Sequence, residues 1–162
     1  MVCPPSFEEA VTSTLRRHQY ELHTNFGFFY LCPDIPRSKL DLVKNSFELP
    51  DGERIIGYVE TSRARSRAIV VFGSTALFFH DTGFVSPFLA RRLLGRTRES
   101  EGSIPYVEFP NRQFKAKRLH VGVSLDKGRY LSIVDPLHRT IFVRVLNSLK
   151  HVVTATLEKG IP

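Results

Sequence analysis

Residue 52 divides this sequence by the spacing of its apolar residues. Before Gly52 they recur at helical intervals; after it they alternate with polar neighbours over short runs, which is the period of an extended chain with one buried face. The runs Ile55 to Val59, Ala68 to Phe72 and Thr75 to Phe79 read as strands, with the last two joined at Gly73 and Ser74 by a tight hairpin. Leu119, Val121 and Val123 alternate with His120, Gly122 and Ser124, and a turn at Asp126, Lys127 and Gly128 leads to a partner strand from Tyr130 to Val134. Hairpins in succession predict an antiparallel meander. Between the groups, Ile104 to Phe109 and Gln113 to Arg118 supply one or two further strands around a turn at Pro110 and Asn111.

The segment ahead of Gly52 reads as helical. Residues 6 to 24 form one predicted helix: Ser6 caps it, Glu9 completes a capping box, and Phe7, Val11, Leu15 and Leu22 recur near helical spacing. The stretch NFGFFYLCPDIP is extended and aromatic, and its prolines stop any helix. A second short helix begins at Pro36, carries Leu40, Val43 and Phe47 on one face, and ends at Leu49 to Gly52.

The chain closes with its strongest helical signal. Asp135 caps and Pro136 occupies the first position, followed by Ile141, Phe142, Val145, Leu146, Leu149, Val152, Val153 and Leu157 on one stripe. Such a stripe needs a sheet or a barrel mouth to lie on. The segment 84–103 interrupts the strands with an apolar, arginine-rich start from Pro87 to Leu94 and a polar remainder, an insertion of a length that often carries function. The predicted organisation is therefore a helical N-terminal extension, 1–52, and a β-rich part, 53–162, that holds the insertion and ends in the helix 136–158.

A chain of 162 residues is long enough for one core, burying roughly 70% of the surface its unfolded form exposes. No apolar run approaches the roughly 20 residues of a membrane span. The N-terminal MVCPPSFEEAV carries glutamates where a secretory leader carries basic residues, and neither end shows a lipidation motif, so the chain reads as cytoplasmic. Cys3 and Cys32 form no disulfide framework or metal-type pair, and Cys32 is expected to be a buried, inert thiol.

The net charge of +7 is uneven. Residues 1–52 hold 5 basic and 7 acidic side chains, residues 53–135 hold 14 and 8, and residues 136–162 hold 4 and 1. An anionic partner should meet the central and C-terminal parts.

Antiparallel strands in meander order followed by one amphipathic helix resemble the pleckstrin-homology superfold, including its GRAM and bacterial relatives. The stretches that carry the resemblance are ERIIGYVETS, AIVVFGSTALFFHDTG, SIPYVEF, LHVGVSLDKGRYLSIV and the helix from Pro136 to Glu158, together residues 53 to 158. The resemblance implies an α+β fold: an antiparallel half-barrel of six to seven strands capped by the C-terminal helix, with a helical N-terminal extension. It also implies ligand-binding loops at the open end. This chain departs from the pattern in having no tryptophan, which such domains usually carry in the last helix, and in its additional first 50 residues.

By the same resemblance, Arg63, Arg65 and Arg67 fall where phosphoinositide-binding members carry the phosphate-holding loop, and a guanidinium fork suits phosphate. The family's first-strand lysine is missing, its place taken by Ile55, Ile56, Tyr58 and Val59. The alternative is a solvated turn. Further basic groups are Arg91, Arg92, Arg96 and Arg98 in the insertion, and Arg112, Lys115, Lys117 and Arg118. One cluster of four adds roughly 4 kcal/mol at an anionic leaflet, which corresponds to a dissociation constant of about 1 mM. That is too weak to hold the protein on a membrane alone, and an acidic protein surface matches these clusters equally well.

Nucleic acid is disfavoured, because the aromatics are not interleaved with basic residues as stacking platforms require. For catalysis there is no P-loop, GxSxG, HExxH or dinucleotide fingerprint, and no spaced metal ligands. His80 beside Asp81 reads as a turn feature, because neighbouring strand residues face opposite ways. The expectation is a non-catalytic protein, without cofactor or metal, that docks on an acidic protein partner through Arg91, Arg92, Arg96 and Arg98 and acts by occupying it, as an inhibitor, immunity-type antitoxin or adaptor does. The rival expectation is an anionic phospholipid-binding module using Arg63, Arg65 and Arg67.

Overall fold

The computed structural model describes residues 6–63, 66–81, 101–117, 122–125, 130–131, 133 and 135–160. These form an α+β structure with a five-stranded antiparallel sheet, a three-stranded antiparallel sheet, helices from the N-terminal segment and a long C-terminal helix.

Helix α1 (Phe7–Arg17) starts on the predicted capping box: the Glu9 N–H donates to Ser6 Oγ at 3.3 Å, and the Ser6 N–H donates to Glu9 Oε2 at 3.1 Å. The single helix expected over residues 6 to 24 divides at His18, and α2 (Gln19–Asn25) continues from it. The break lets Leu22 and the following Phe26 reach the core, both fully buried. Strand β1 (Phe28–Leu31) follows, then α3 (Arg37–Ser46), with Pro36 fixing the chain's entry at φ −59°. A turn over Pro50–Glu53 needs the left-handed conformation, and Gly52 supplies it at φ 81°.

Strands β2 (Ile55–Arg63), β3 (Ser66–Gly73), β4 (Ala76–Asp81) and β5 (Glu101–Pro105) extend the sheet in the order β1-β2-β3-β4-β5. The β3–β4 turn is held from outside the hairpin by Glu53, whose carboxylate accepts from the Thr75 N–H at 2.9 Å, from Ser74 Oγ at 3.3 Å and from the Thr75 hydroxyl. The insertion expected over 84–103 ends inside β5, since Glu101 to Ser103 already pair with β4. The strand expected to run on to Phe109 stops at Pro105 and becomes a 3-10 turn (Tyr106–Asn111); Pro105 lacks the N–H a strand would use, and Pro110 sits in the turn. The short strands β6 (Lys115–Lys117), β7 (Gly122–Ser124) and β8 (Tyr130–Leu131) form the smaller sheet in sequence order.

Helix α4 (Pro136–Glu158) follows the expected bounds, with Asp135 Oδ1 accepting from the N–H groups of Leu137 at 2.8 Å and His138 at 3.2 Å. Its buried stripe, which includes Ile141, Phe142, Val145, Leu146, Leu149 and Val153, joins one core with Val11 and Leu15 of α1 and with Val59, Val70, Phe72, Leu77, Phe79 and Ile104 of the large sheet. From the small sheet Val123 and Leu131 enter the same core, together with Leu125 and Ile133 beside them. The opposite face of the large sheet, with Tyr58, Ile69, Val71 and Phe78, is covered by α3 through Val43, Leu40 and the following Phe47. A bulge at Ile55–Gly57 adjusts these faces, so that Ile55 packs with the α3 side and Ile56 with the α1 side. Among the described residues no helix is long and apolar enough to cross a membrane.

Candidate functional site

Arg91, Arg92, Arg96 and Arg98 lie outside the described residues. Of the hairpin arginines, Arg63 ends β2 and Arg67 begins the facing part of β3, with Arg63 opposite Ser66 and Ser62 opposite Arg67; Arg65 lies outside the described residues. The backbone thus brings two of the three arginine positions to one end of the sheet. The third basic group is not an open surface as a whole. Arg112 is buried and pairs with Glu108, while its carbonyl accepts from Lys150 Nζ at 2.6 Å; Lys115 is exposed. Arg118 lies outside the described residues.

His80 and Asp81 belong to β4 rather than to a turn, on opposite faces as strand alternation requires. Asp81 is buried, at 1% exposure. Cys32 is exposed, contrary to the expected buried thiol, because it follows the last paired residue of β1.

A hydroxyl, an imidazole and a carboxylate meet where α2 crosses α4. His18 Nε2 lies 3.1 Å from Ser148 Oγ, and its Nδ1 lies 3.8 Å from Glu21 Oε2. This order is that of an activated nucleophile, but the chemistry is not supported by the surroundings. The carboxylate lies beyond hydrogen-bond reach of the ring, and Ser148 sits inside a helix whose N–H groups are engaged one turn back, so that this helix offers no donor pair for an oxyanion. With Glu21 Oε1 accepting from Arg144 at 2.9 Å, the group ties the N-terminal helices to α4.

A second polar group lies under α3. Glu60 is 4% exposed on the outer face of β2 and accepts from Lys39 Nζ at 2.7 Å and from the Tyr58 hydroxyl. Lys39 also stands over the Phe28 ring, 4.3 Å from its centroid. A buried carboxylate needs such partners, so this contact fixes where α3 sits on the sheet.

A cleft of about 430 Å³ opens beside that helix, lined by Lys44, Phe47, Glu48, Phe78, Glu101 and Ser103 among others. It exists because α3 stops at Ser46, short of the last strand. The Phe47 ring turns back onto Phe78 and His80, with centroids 6.4 and 6.1 Å apart, and Glu101 and Ser103 of β5 form the facing wall of the cleft. His80 and Glu101 face each other across β4 and β5, with His80 Nδ1 3.3 Å from Glu101 Oε2. That nitrogen is buried and has no aligned hydrogen-bond partner among the described residues. Next to Glu101, Gly102 turns inward, where a Cβ would stand 2.9 Å from Phe79 Cζ.

Sequence reasoning missed this cleft. Its walls come from segments over 50 residues apart, on a strand whose start was assigned to the insertion, and only the outward alternation of Glu101 and Ser103 marks it. Among the described residues no group of histidine, cysteine, aspartate and glutamate is placed to hold a metal ion. Comparisons with protein-family models, curated proteins and solved structures return no match.

Proposed function

We propose that this chain is a non-catalytic, cytoplasmic binding protein of the bacterial pleckstrin-homology-like type, which docks on another protein and acts by occupying it as an inhibitor, immunity-type antitoxin or adaptor. The observation that carries the reading is the order of elements after residue 53: a meander β2 to β5, a second meander β6 to β8, then one helix packed in the core they share. That is the sequence of parts of a half-barrel with a helical stopper. The N-terminal segment adds β1 to one edge and helices to both faces, and with these covers in place the sheet faces serve packing rather than chemistry. Function then falls to edges and loops.

The docking surface proposed is the insertion with Arg91, Arg92, Arg96 and Arg98, meeting an acidic partner surface. Replacing the four arginines by alanine should weaken the complex and flatten its salt dependence while leaving the melting temperature nearly unchanged. Unchanged affinity would reject that surface, and a large loss of stability would make the segment structural.

A second reading has one observation in its favour: Arg63 and Arg67 stand near the end of the β2–β3 hairpin, the loop that binds phosphate in phosphoinositide-binding members of the superfold. Co-sedimentation with liposomes, with and without phosphoinositide, separates the two. A protein docker stays in the supernatant, and an anionic-lipid module pellets only with charged vesicles and loses that behaviour when Arg63, Arg65 and Arg67 are replaced.

A further inference from the structure

The cleft at the end of α3 sets a carboxylate rim over an aromatic floor in a chain that is basic as a whole. Resting on the protein-docking reading above, we infer that this cleft is a receptor for one lysine or arginine side chain of the partner protein, its charged head between Glu48 and Glu101 and its aliphatic stem on Phe47 and Phe78.

Two separate elements build the walls. Helix α3 ends at Ser46 and the chain leaves it in an extended conformation at Phe47, with φ −132°, so the Phe47 ring meets Phe78 and Glu48 follows on the rim. Glu101 stands on the facing wall, carried by β5 opposite His80 of β4, and its Oε2 lies 3.3 Å from His80 Nδ1. Glu48 and Glu101 are both exposed, and Glu48 forms no ion pair with the described residues, so its charge is open to a ligand.

The lining fixes the chemistry of the occupant. Two carboxylates stand against the single rim cation Lys44, which reverses locally the sign of a chain of net charge +7. Aromatic faces attract a cationic head and pack against the methylenes behind it, and a lysine or arginine side chain joins both features in one group. Because the carboxylates are exposed, the head keeps part of its water shell and escapes the penalty of a fully buried ion. A volume of about 430 Å³ lies within the range of sites that enclose a ligand group, roughly 300–1,000 Å³, and leaves room for the backbone that carries the side chain.

The field of the whole chain selects the source. A net charge of +7 opposes the approach of a free polyamine and draws in a protein that is acidic overall. One basic side chain on such a protein is brought to the cleft by the rest of its surface. Seated there, it specifies how the partner sits, which long-range attraction alone does not do.

Following the amide signals of the isotope-labelled full chain tests the inference. The probes are a capped pentapeptide with one lysine among glycines, its arginine and norleucine counterparts, and cadaverine as a free diamine. The lysine and arginine peptides should shift the signals of Phe47, Glu48, Glu101 and Gly102 saturably, whereas the norleucine peptide, apolar along its whole side chain, should leave them in place. Glu48→Gln combined with Glu101→Gln should weaken the lysine peptide about tenfold. Lys44→Gln, which removes the opposing charge, should tighten it about twofold. Equal binding of the norleucine peptide, equal binding by the double-glutamine variant, or no saturable shift with the lysine peptide overturns the inference. Cadaverine that binds more tightly than the lysine peptide assigns the cleft to a free amine and overturns it too. The arginine-to-alanine variant of the insertion keeps the two readings apart: it should lose the partner surface and bind the lysine peptide unchanged. A chain that docks through the insertion but does not bind the peptide rejects the cleft inference alone.

Discussion

On the side of the large sheet that faces α1 and α4, contact is made by fully buried aliphatic and aromatic side chains, Phe72 against Phe142 and Leu15 beside Gly57 among them. On the side that faces α3, the same strands bury a carboxylate, and of the helix only Val43 is fully enclosed. The first interface is held by area, which is insensitive to small displacements. The second is positioned by Glu60, Lys39 and Tyr58, whose hydrogen bonds exist in one arrangement. The molecule thus has one side that supplies stability and one that is fixed more lightly, stops short of β5 and leaves a cleft.

Substitutions can break this comparison. Phe142→Ala on the α4 side should cost about 3–5 kcal/mol, and thermal melting should fall by about 10 °C or more. If α3 is positioned by its polar contact, Lys39→Met should cost about 2 kcal/mol, less than the roughly 3–5 kcal/mol for opening a fully buried pair, because Lys39 keeps some water contact. Combining Lys39→Met with Glu60→Leu and Tyr58→Phe, which also removes the hydroxyl that Glu60 accepts from, should recover most of that loss, and denaturant unfolding of the series reads it. No recovery would mean that Lys39 acts through its stem and the Phe28 ring.

Two smaller effects sharpen the picture of the α1/α4 side. Tyr106 is fully buried there and donates to the Gly73 carbonyl at 3.0 Å; burial first, and the Glu53 carboxylate second, hold its hydroxyl pKa well above 10.0. Its folded-state pKa is raised, so its contribution is fully present below the unfolded value of about 10 and is lost as pH rises from there toward the folded one. In an alkaline titration followed by tyrosinate absorbance, the native protein and Tyr106→Phe should therefore ionise the same number of tyrosines before unfolding and differ by one after it. Tyr106→Phe itself should cost about 1 kcal/mol. Ser6→Ala removes one arm of the capping box and should cost about 0.5–1 kcal/mol by thermal melting.

The same contrast explains what could be read from the chain. The α1/α4 side was legible because its signals are periodic: the stripe on α4, the cap at Asp135 and the alternating runs of β2 to β4 each occur within a continuous segment. The α3 helix was legible as a helix, but its seat was not. That seat depends on Lys39 meeting Glu60 and on Phe47 meeting Phe78, pairings between separate segments that no local period announces. The clamp of Glu53 on Ser74 and Thr75 escaped for the same reason. The cleft arises from where a helix ends relative to a strand edge, a property of tertiary placement, and Arg112 looked like open charge until Glu108 and Lys150 were seen to enclose it.

Native-state amide exchange across increasing denaturant tests most directly the claim that one side of the sheet carries the stability and the other is a lighter cover. Amides of α4 from Ile141 to Val153 should exchange only by global unfolding, with free energies that match the denaturant transition. Those of α3 from Leu40 to Ser46 should exchange through a smaller opening, at lower free energy and with weaker denaturant dependence. Helices α3 and α4 that exchange together at the global limit would contradict the account.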